Sequence, residues 1–255
     1  MTVNAPGLAP LVVPVAASVP CPQLVIDPNA LSGLNAFPPT VVDSTGVLGC
    51  FSERTATLRN TGKCSLTVDN VAATAPHFLV VAPTQFPLTI GPGGAVSARV
   101  RFVPKSDANA RAPSELTGQL TVTSSDPDAA DGLAALCGES VAQSGVRALA
   151  VNVTTGTPVP IDPLERLTLT SKGKNTPSPI SIRLTQAPVS TASVCGRTVK
   201  WHLDEETLPT VQTTGSNPKA SYQIDAKQGS LQTSESFELG QCDFKEFTLQ
   251  LKSRR

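Results

Sequence analysis

Charge is scarce in this 255-residue chain: 16% of residues carry it, and 20 Lys+Arg balance 20 Asp+Glu. Such a net-neutral sequence offers neither a polyelectrolyte tail nor the basic surface of a nucleic-acid clamp built on phosphate contacts. Aromatics make up 4%, with a single Trp201 and a single Tyr222. Two histidines, His77 and His202, leave little scope for His-based catalysis or a His-rich metal site. No run approaches the ~20 apolar residues of a membrane-spanning helix. No C-x-x-C pair is present, which removes zinc ribbons and thioredoxin-like motifs, and there is no G-x-S-x-G elbow and no P-loop. The apolar N-terminus, MTVNAPGLAPLVVPVAAS, lacks the basic start of a signal peptide, and Pro6, Pro10 and Pro14 interrupt any helical segment. Residues 1–20 therefore read as an extended arm, either the mature start of a processed chain or the true start of an unprocessed one.

What is present in quantity is proline (23), glycine (18), valine, threonine and serine, a composition hostile to helix interiors. Period-2 alternation is the clearest local signal. Ala56 and Leu58 alternate with Thr55, Thr57 and Arg59, and Leu66 and Val68 with Thr67 and Asp69. Val96, Ala98, Val100 and Phe102 alternate with Ser97, Arg99 and Arg101, and Leu120 and Val122 with Thr121 and Thr123. Each run gives one face to a core and one to water. Asn60-Thr61-Gly62 reads as a hairpin turn, Gly91-Pro92-Gly93-Gly94 as a turn before the strongest strand, and Ser125-Asp126-Pro127-Asp128 as a turn after the strand at Leu120. Short strands so punctuated indicate a β-sandwich. A second all-β region follows Gly138-Glu139-Ser140, with strands expected at Val146–Val153, Arg166–Thr170, Ser181–Leu184, Val199–Leu203, Ser221–Ile224, Phe237–Leu239 and Phe247–Leu251. The expected division is an arm over 1–20, one domain over 21–142 and another over 146–255, with Gln143-Ser144-Gly145 as linker. Six widely spaced cysteines, Cys21, Cys50, Cys64, Cys137, Cys195 and Cys242, suggest two or three structural disulfides and an oxidising compartment; buried free thiols are the alternative.

Several segments of the first half occur in a telling order: TLRNTG at Thr57 to Gly62, Leu66-Thr67-Val68, Phe78, Ile90-Gly91-Pro92-Gly93, Val100-Arg101-Phe102-Val103-Pro104, and Gly118 to Pro127 (GQLTVTSSDP). This succession resembles the Hydin-like (ASH) domain family, the "choice-of-anchor D" modules, over residues ~22–140. The resemblance implies an immunoglobulin-like sandwich of about seven strands with an interaction or scaffolding role and no catalytic residues. The long Lys105–Pro113 loop departs from the family pattern. The resulting expectation is an all-β protein with two immunoglobulin-like β-sandwich domains in tandem.

With first strands inferred at 22–27, 50–59 and 64–70 and a last one at 133–138, Cys21 and Cys64 lie at one end of the sandwich and Cys50 and Cys137 at the other. Cys50–Cys64 is a harder pair, because a tight hairpin leaves about nine residues at ~3.3 Å each between them. Cys195–Cys242 is the remaining pair, within the second domain.

Other clusters carry a bland reading beside a chemical one. His202 with Asp204, Glu205 and Glu206 suggests a metal or acid–base group, but on a strand Trp201 and Leu203 would be core and the polar residues solvated. His77 reads as a strand-edge residue. Asp126, Asp128 and Asp131 offer hard oxygen ligands for calcium, yet Asp-Pro-Asp is a turn-former and the spacing is not that of an EF-hand. Asn152-Val153-Thr154 is a lone glycosylation sequon, and Lys252 to Arg255 a small basic tail. No catalytic, cofactor or metal residues are expected. The expected function is a non-catalytic structural or protein-interaction role at the cell surface or envelope. Partners would be proteins or further copies of the chain, held through sheet edges or the N-terminal arm. Alternatives are a subunit of a virion or other assembled particle, in a virion or cytoplasmic assembly, and a surface glycan-binding module using Trp201 and Tyr222.

Overall fold

The computed structural model describes residues 2–3, 11–12, 21–43, 49–74, 76–105, 114–129, 131–153, 157–173, 178–205, 207–210 and 219–253. Most of the expected arm, the 106–113 loop, Thr154, Glu206 and Arg254-Arg255 lie outside them. Of the arm, Thr2–Val3 pairs antiparallel with Leu11–Val12. The described residues are strands joined by turns, with one 3-10 turn at Gly33–Asn35. None of the helices is long and apolar enough to cross a membrane.

The first half builds two sheets around one core. The four-stranded sheet runs Leu24–Asp27, Ser52–Asn60, Ala95–Phe102, Phe78–Ala82, all antiparallel. The second runs Ala30–Leu31, Asp131–Val141, Ser114–Ser124, Leu66–Ala73, Leu88–Ile90, and Phe37–Val41 adds to Asp131–Val141 in parallel. The alternating residues face as their pattern dictates: Ala56, Leu58, Ala98, Val100 and Phe102 meet Leu66, Val68, Leu120 and Val122 in one buried cluster. Phe37, Phe78 and Phe102 form its aromatic centre, with ring centroids 5.0–5.7 Å apart. Gly138 leaves room for it, because a Cβ there would lie 2.6 Å from the Phe102 ring.

Asn60-Thr61-Gly62 is not a hairpin turn. Ser52–Asn60 and Leu66–Ala73 belong to different sheets, so the segment is an arch between layers. Neither Asn60 nor Gly62 has a positive φ. Asn60 is there as a hydrogen-bond hub: its Nδ2 donates to the carbonyls of Cys64 (2.7 Å) and Ile90 (2.9 Å), and its Oδ1 accepts from the Gly62 N–H at 3.0 Å. Gly62 is there for space, since a Cβ would sit 2.7 Å from the Gln23 nitrogen.

The second half forms an eight-stranded sheet with its own core of Val146, Leu167, Leu169, Tyr222, Ile224, Leu249 and their neighbours. Gly145–Asn152 pairs in parallel with Phe244–Ser253, whose far end then pairs antiparallel with Leu231–Leu239. Ser190–Val194 and Arg197–Trp201 make a separate hairpin, turned by Cys195 (φ 52°) and Gly196 (φ 74°).

The disulfides correct the expectation that each unit closes its own. Cys21–Cys64 lies within the first half, but the other bonds are Cys50–Cys242 and Cys137–Cys195, both joining the two halves. The reason lies in Asp131–Val141. It alternates until Ala135, and from Leu136 to Val141 every residue is buried, because the second half covers the face that would otherwise meet water. Cys137 sits on that doubly covered stretch and finds its partner across the junction.

Candidate functional site

The junction between the halves gathers the charged groups. Glu139 comes from the doubly covered strand, Arg147 from Gly145–Asn152, Asp204 from Leu203–Glu205, Glu246 from Phe244–Ser253 and Arg197 from the hairpin. Arg147 Nη2 donates to Glu139 Oε1 at 2.7 Å and Asp204 Oδ2 at 3.2 Å, and Nη1 to Glu246 Oε1 at 3.1 Å. Arg197 Nη2 lies 3.8 Å from Glu139 Oε2. The Glu139 side chain is fully inaccessible, and Arg147 nearly so. The Arg147 guanidinium is also 5.2 Å from the Trp201 ring and 5.3 Å from that of Phe244, within reach of both π-systems.

Two positive and three negative groups therefore meet around a dehydrated Glu139–Arg147 pair, where attraction is strong and a missing partner is costly, while Arg197 and Glu246 reach water. Burial works against the charge on Arg147, but Glu139 and Asp204 outweigh it and hold the guanidinium protonated beyond its ordinary range. Burial pushes the Asp204 carboxyl up, with Arg147 opposing. Beside the cluster lies a cleft of about 560 Å³ lined in part by Leu149, Arg197, Val199 and Lys200, with Leu34, 94% exposed, at its rim.

His202 is not on a solvated face. The strand breaks between Arg197–Trp201 and Leu203–Glu205, and the imidazole turns inward. Its Nδ1 accepts from the Ala150 N–H at 3.0 Å and its Nε2 lies 2.6 Å from the Ile161 carbonyl, which makes Nε2 the protonated nitrogen. Burial lowers its pKa, so it is a neutral structural histidine. Asp204, expected to be solvated, is instead the Arg147 partner. Trp201 is half-buried rather than core, while Leu203 is buried. Tyr222 is wholly buried and donates its hydroxyl to the Pro209 carbonyl, so it offers no platform to a sugar.

The other sequence candidates are occupied as structural groups. His77 Nδ1 accepts from the Lys105 N–H at 3.2 Å. The buried Asp126 carboxylate accepts from the N–H groups of Leu24 (2.7 Å), Asp128 (2.9 Å) and Ala129 (3.3 Å), and Asp131 accepts from the Thr123 hydroxyl. Glu115 lies close to Cys137 and Cys195. Those sulfurs are bonded to each other, and Glu115 Oε2 accepts from the Cys195 N–H at 2.6 Å, so the trio buttresses the disulfide. Sequence reasoning missed Glu139 and Arg147. Their only signal was a charged residue on each side of the short linker, inside stretches that are otherwise apolar or small.

No family model and no curated protein matches the chain. Among solved structures it is similar to the CupB2 chaperone of Pseudomonas aeruginosa at 11% identity, covering 79% of this chain and 97% of that one, with a TM-score of 0.25. The YadV chaperone gives 11% identity, 85% and 99% coverage and a TM-score of 0.27. The secreted serine protease VesC of Vibrio cholerae gives 10%, 79%, 43% and 0.26. Likenesses this distant carry no argument about this chain.

Proposed function

We propose that this protein is a non-catalytic structural or protein-interaction component of a cell surface, envelope or extracellular assembly. The observation that carries this reading is that all six cysteines are bonded, with two of the three bonds tying the halves together. Disulfides of this kind persist in oxidising compartments. They suit a protein whose task is to hold a fixed shape between partners. The engagement of His202, Asp126 and the Arg147 cluster by structural partners speaks for the same role.

For residues ~22–140 we infer an immunoglobulin-like sandwich of the Hydin-like kind. The ordered motifs support this, as does the strand order, in which strands at 24–27, 52–60, 95–102 and 78–82 oppose 131–141, 114–124 and 66–73. Partners would be taken up at sheet edges, where backbone groups are unpaired.

The test is to recover the protein from its native source, fractionate the compartments and map its cysteines by mass spectrometry without reduction. The expected result is an envelope or exterior location with Cys21–Cys64, Cys50–Cys242 and Cys137–Cys195 linked. Recovery from the cytoplasm with six free thiols overturns the proposal.

A further inference from the structure

The junction has more buried donors than acceptors to meet them. Among the described residues, four buried side-chain polar atoms make no hydrogen bond: Arg147 Nε, Arg197 Nε, Arg197 Nη2 and Asp204 Oδ1. Buried polar groups are ordinarily paired, so each exception needs a physical reason. Three of the four are guanidinium donors, which makes the shortage one of acceptors. Arg197 is the extreme case. Its Nε and Nη2 share the edge of the guanidinium that grips a carboxylate through two parallel bonds. Yet Glu139 Oε2 stands 3.8 Å from Nη2, too far for a hydrogen bond. Glu139 is already held by Arg147 through both oxygens, at 2.7 and 3.4 Å. Arg197 can therefore turn that edge toward another anion without breaking a hydrogen bond there.

A second observation falls on the same group. Arg197 lines the cleft of about 560 Å³ beside the cluster, a size that suits one small molecule. The cleft lies between the 3-10 turn Gly33–Asn35 and the strand Arg197–Trp201. These two walls are tied together: the Gly33 N–H donates to the Cys195 carbonyl at 2.7 Å, and Cys195 is bonded to Cys137. Such a site is formed before a ligand arrives, which spares the ligand an ordering cost. The charged lining is three cations, Arg147, Arg197 and Lys200, against one acid, Glu246, so it favours an anion. Glu246 is itself engaged by Arg147 Nη1 at 3.1 Å. The apolar lining is Leu149 and Val199, both half-buried, and Leu34, which stands 94% exposed on the turn.

We propose that this cleft binds a small organic carboxylate with an apolar body, of the medium-chain fatty-acid kind. The carboxylate takes the Nε–Nη2 edge of Arg197, with the charge of Lys200 in support, and the apolar body lies along Leu149 and Val199 beside Leu34. Both parts are needed. A ligand without the anionic head leaves the guanidinium edge without acceptors, and a head without the body leaves the apolar lining in water. The site adds a ligand to the structural role given above and does not rest on it.

Titration calorimetry of sodium decanoate, kept below its micelle concentration, into the oxidised full-length chain tests it. The expected result is one saturable site with a Kd on the order of 100 μM. Decyltrimethylammonium, with the same tail and the opposite charge, and acetate, with no tail, should each bind about tenfold more weakly or worse. Arg197→Gln should weaken decanoate about tenfold, the loss of one charge-assisted contact. Leu34→Ser, at an exposed position, should weaken it about threefold with an unchanged unfolding midpoint. Arg59→Gln, outside the cleft, should leave the Kd as it is. Absence of a saturable site for decanoate overturns the proposal, as does equal binding of decyltrimethylammonium. So does a Kd that Arg197→Gln leaves unchanged, and if that variant does not fold, an unchanged Kd in Leu34→Ser decides in the same sense.

Discussion

Glu139 is the residue on which the junction leans most. It has no access to water, and Arg147 depends on it for its shortest contact. Glu139→Ala should cost about 1–3 kcal/mol in a urea titration, because a buried guanidinium loses its shortest partner while Asp204 and Glu246 remain. Replacing both members, Glu139→Met with Arg147→Leu, should not restore that loss, because Asp204 and Glu246 then lack their guanidinium. His202 makes a pH prediction. Its native pKa lies below the ordinary 6.5, so the unfolded chain takes up the proton first. Stability is complete above about 6.5 and declines as pH falls from there through the lower native value. Asp204 acts in the opposite sense: its carboxyl is raised, so its contribution is complete at acid pH and shrinks as pH rises through the native value. Urea midpoints at pH 7.5 and 5.5 should differ in the wild type, and the His202→Gln variant should lose the decline.

At the level of elements, the arch at Asn60 joins the two sheets of the first half through one amide side chain. Asn60→Ala removes two donated bonds and two accepted bonds at a buried site, and should lower thermal stability by about 2–3 kcal/mol while leaving the circular-dichroism spectrum that of a β protein. The strands themselves were legible in the sequence. Alternation at Val96–Phe102 and at Leu120–Val122 is a property of neighbouring residues, and it names the buried face without any knowledge of the partner. Which strands pair was not legible, because Asn and Gly suit an arch as well as a hairpin, and only a distant segment, Gln23, decides between them. Leu136 to Val141 failed as an alternating strand for a similar reason. Its second face is covered by residues of the second half, among them Arg147 and, 58 positions from Cys137, Cys195 on the hairpin. The candidate cluster was illegible because its members come from five separate segments. His202 was misread because a one-residue break in the strand turned it inward.

For the molecule as a whole, the two bonds across the junction should make unfolding a single event. Replacing Cys137 and Cys195 together by Ala should cost about 2–4 kcal/mol, and reducing all three bonds should separate calorimetric unfolding into two transitions. A single transition in the fully reduced protein would show that the Arg147 cluster and the packed junction couple the halves unaided. The Cys50–Cys242 bond, 192 residues long in sequence, also sets a timetable for biogenesis. At about 5–20 residues per second, Cys50 emerges some 10–40 s before its mate. Throughout that interval Cys21, Cys64 and then Cys137 are within reach as wrong partners. In a chain oxidised as it emerges, that wait favours wrong pairings, so reoxidation of the reduced protein is expected to reach the native bonds faster when a disulfide isomerase is added, as mass mapping of the cysteines over time would show.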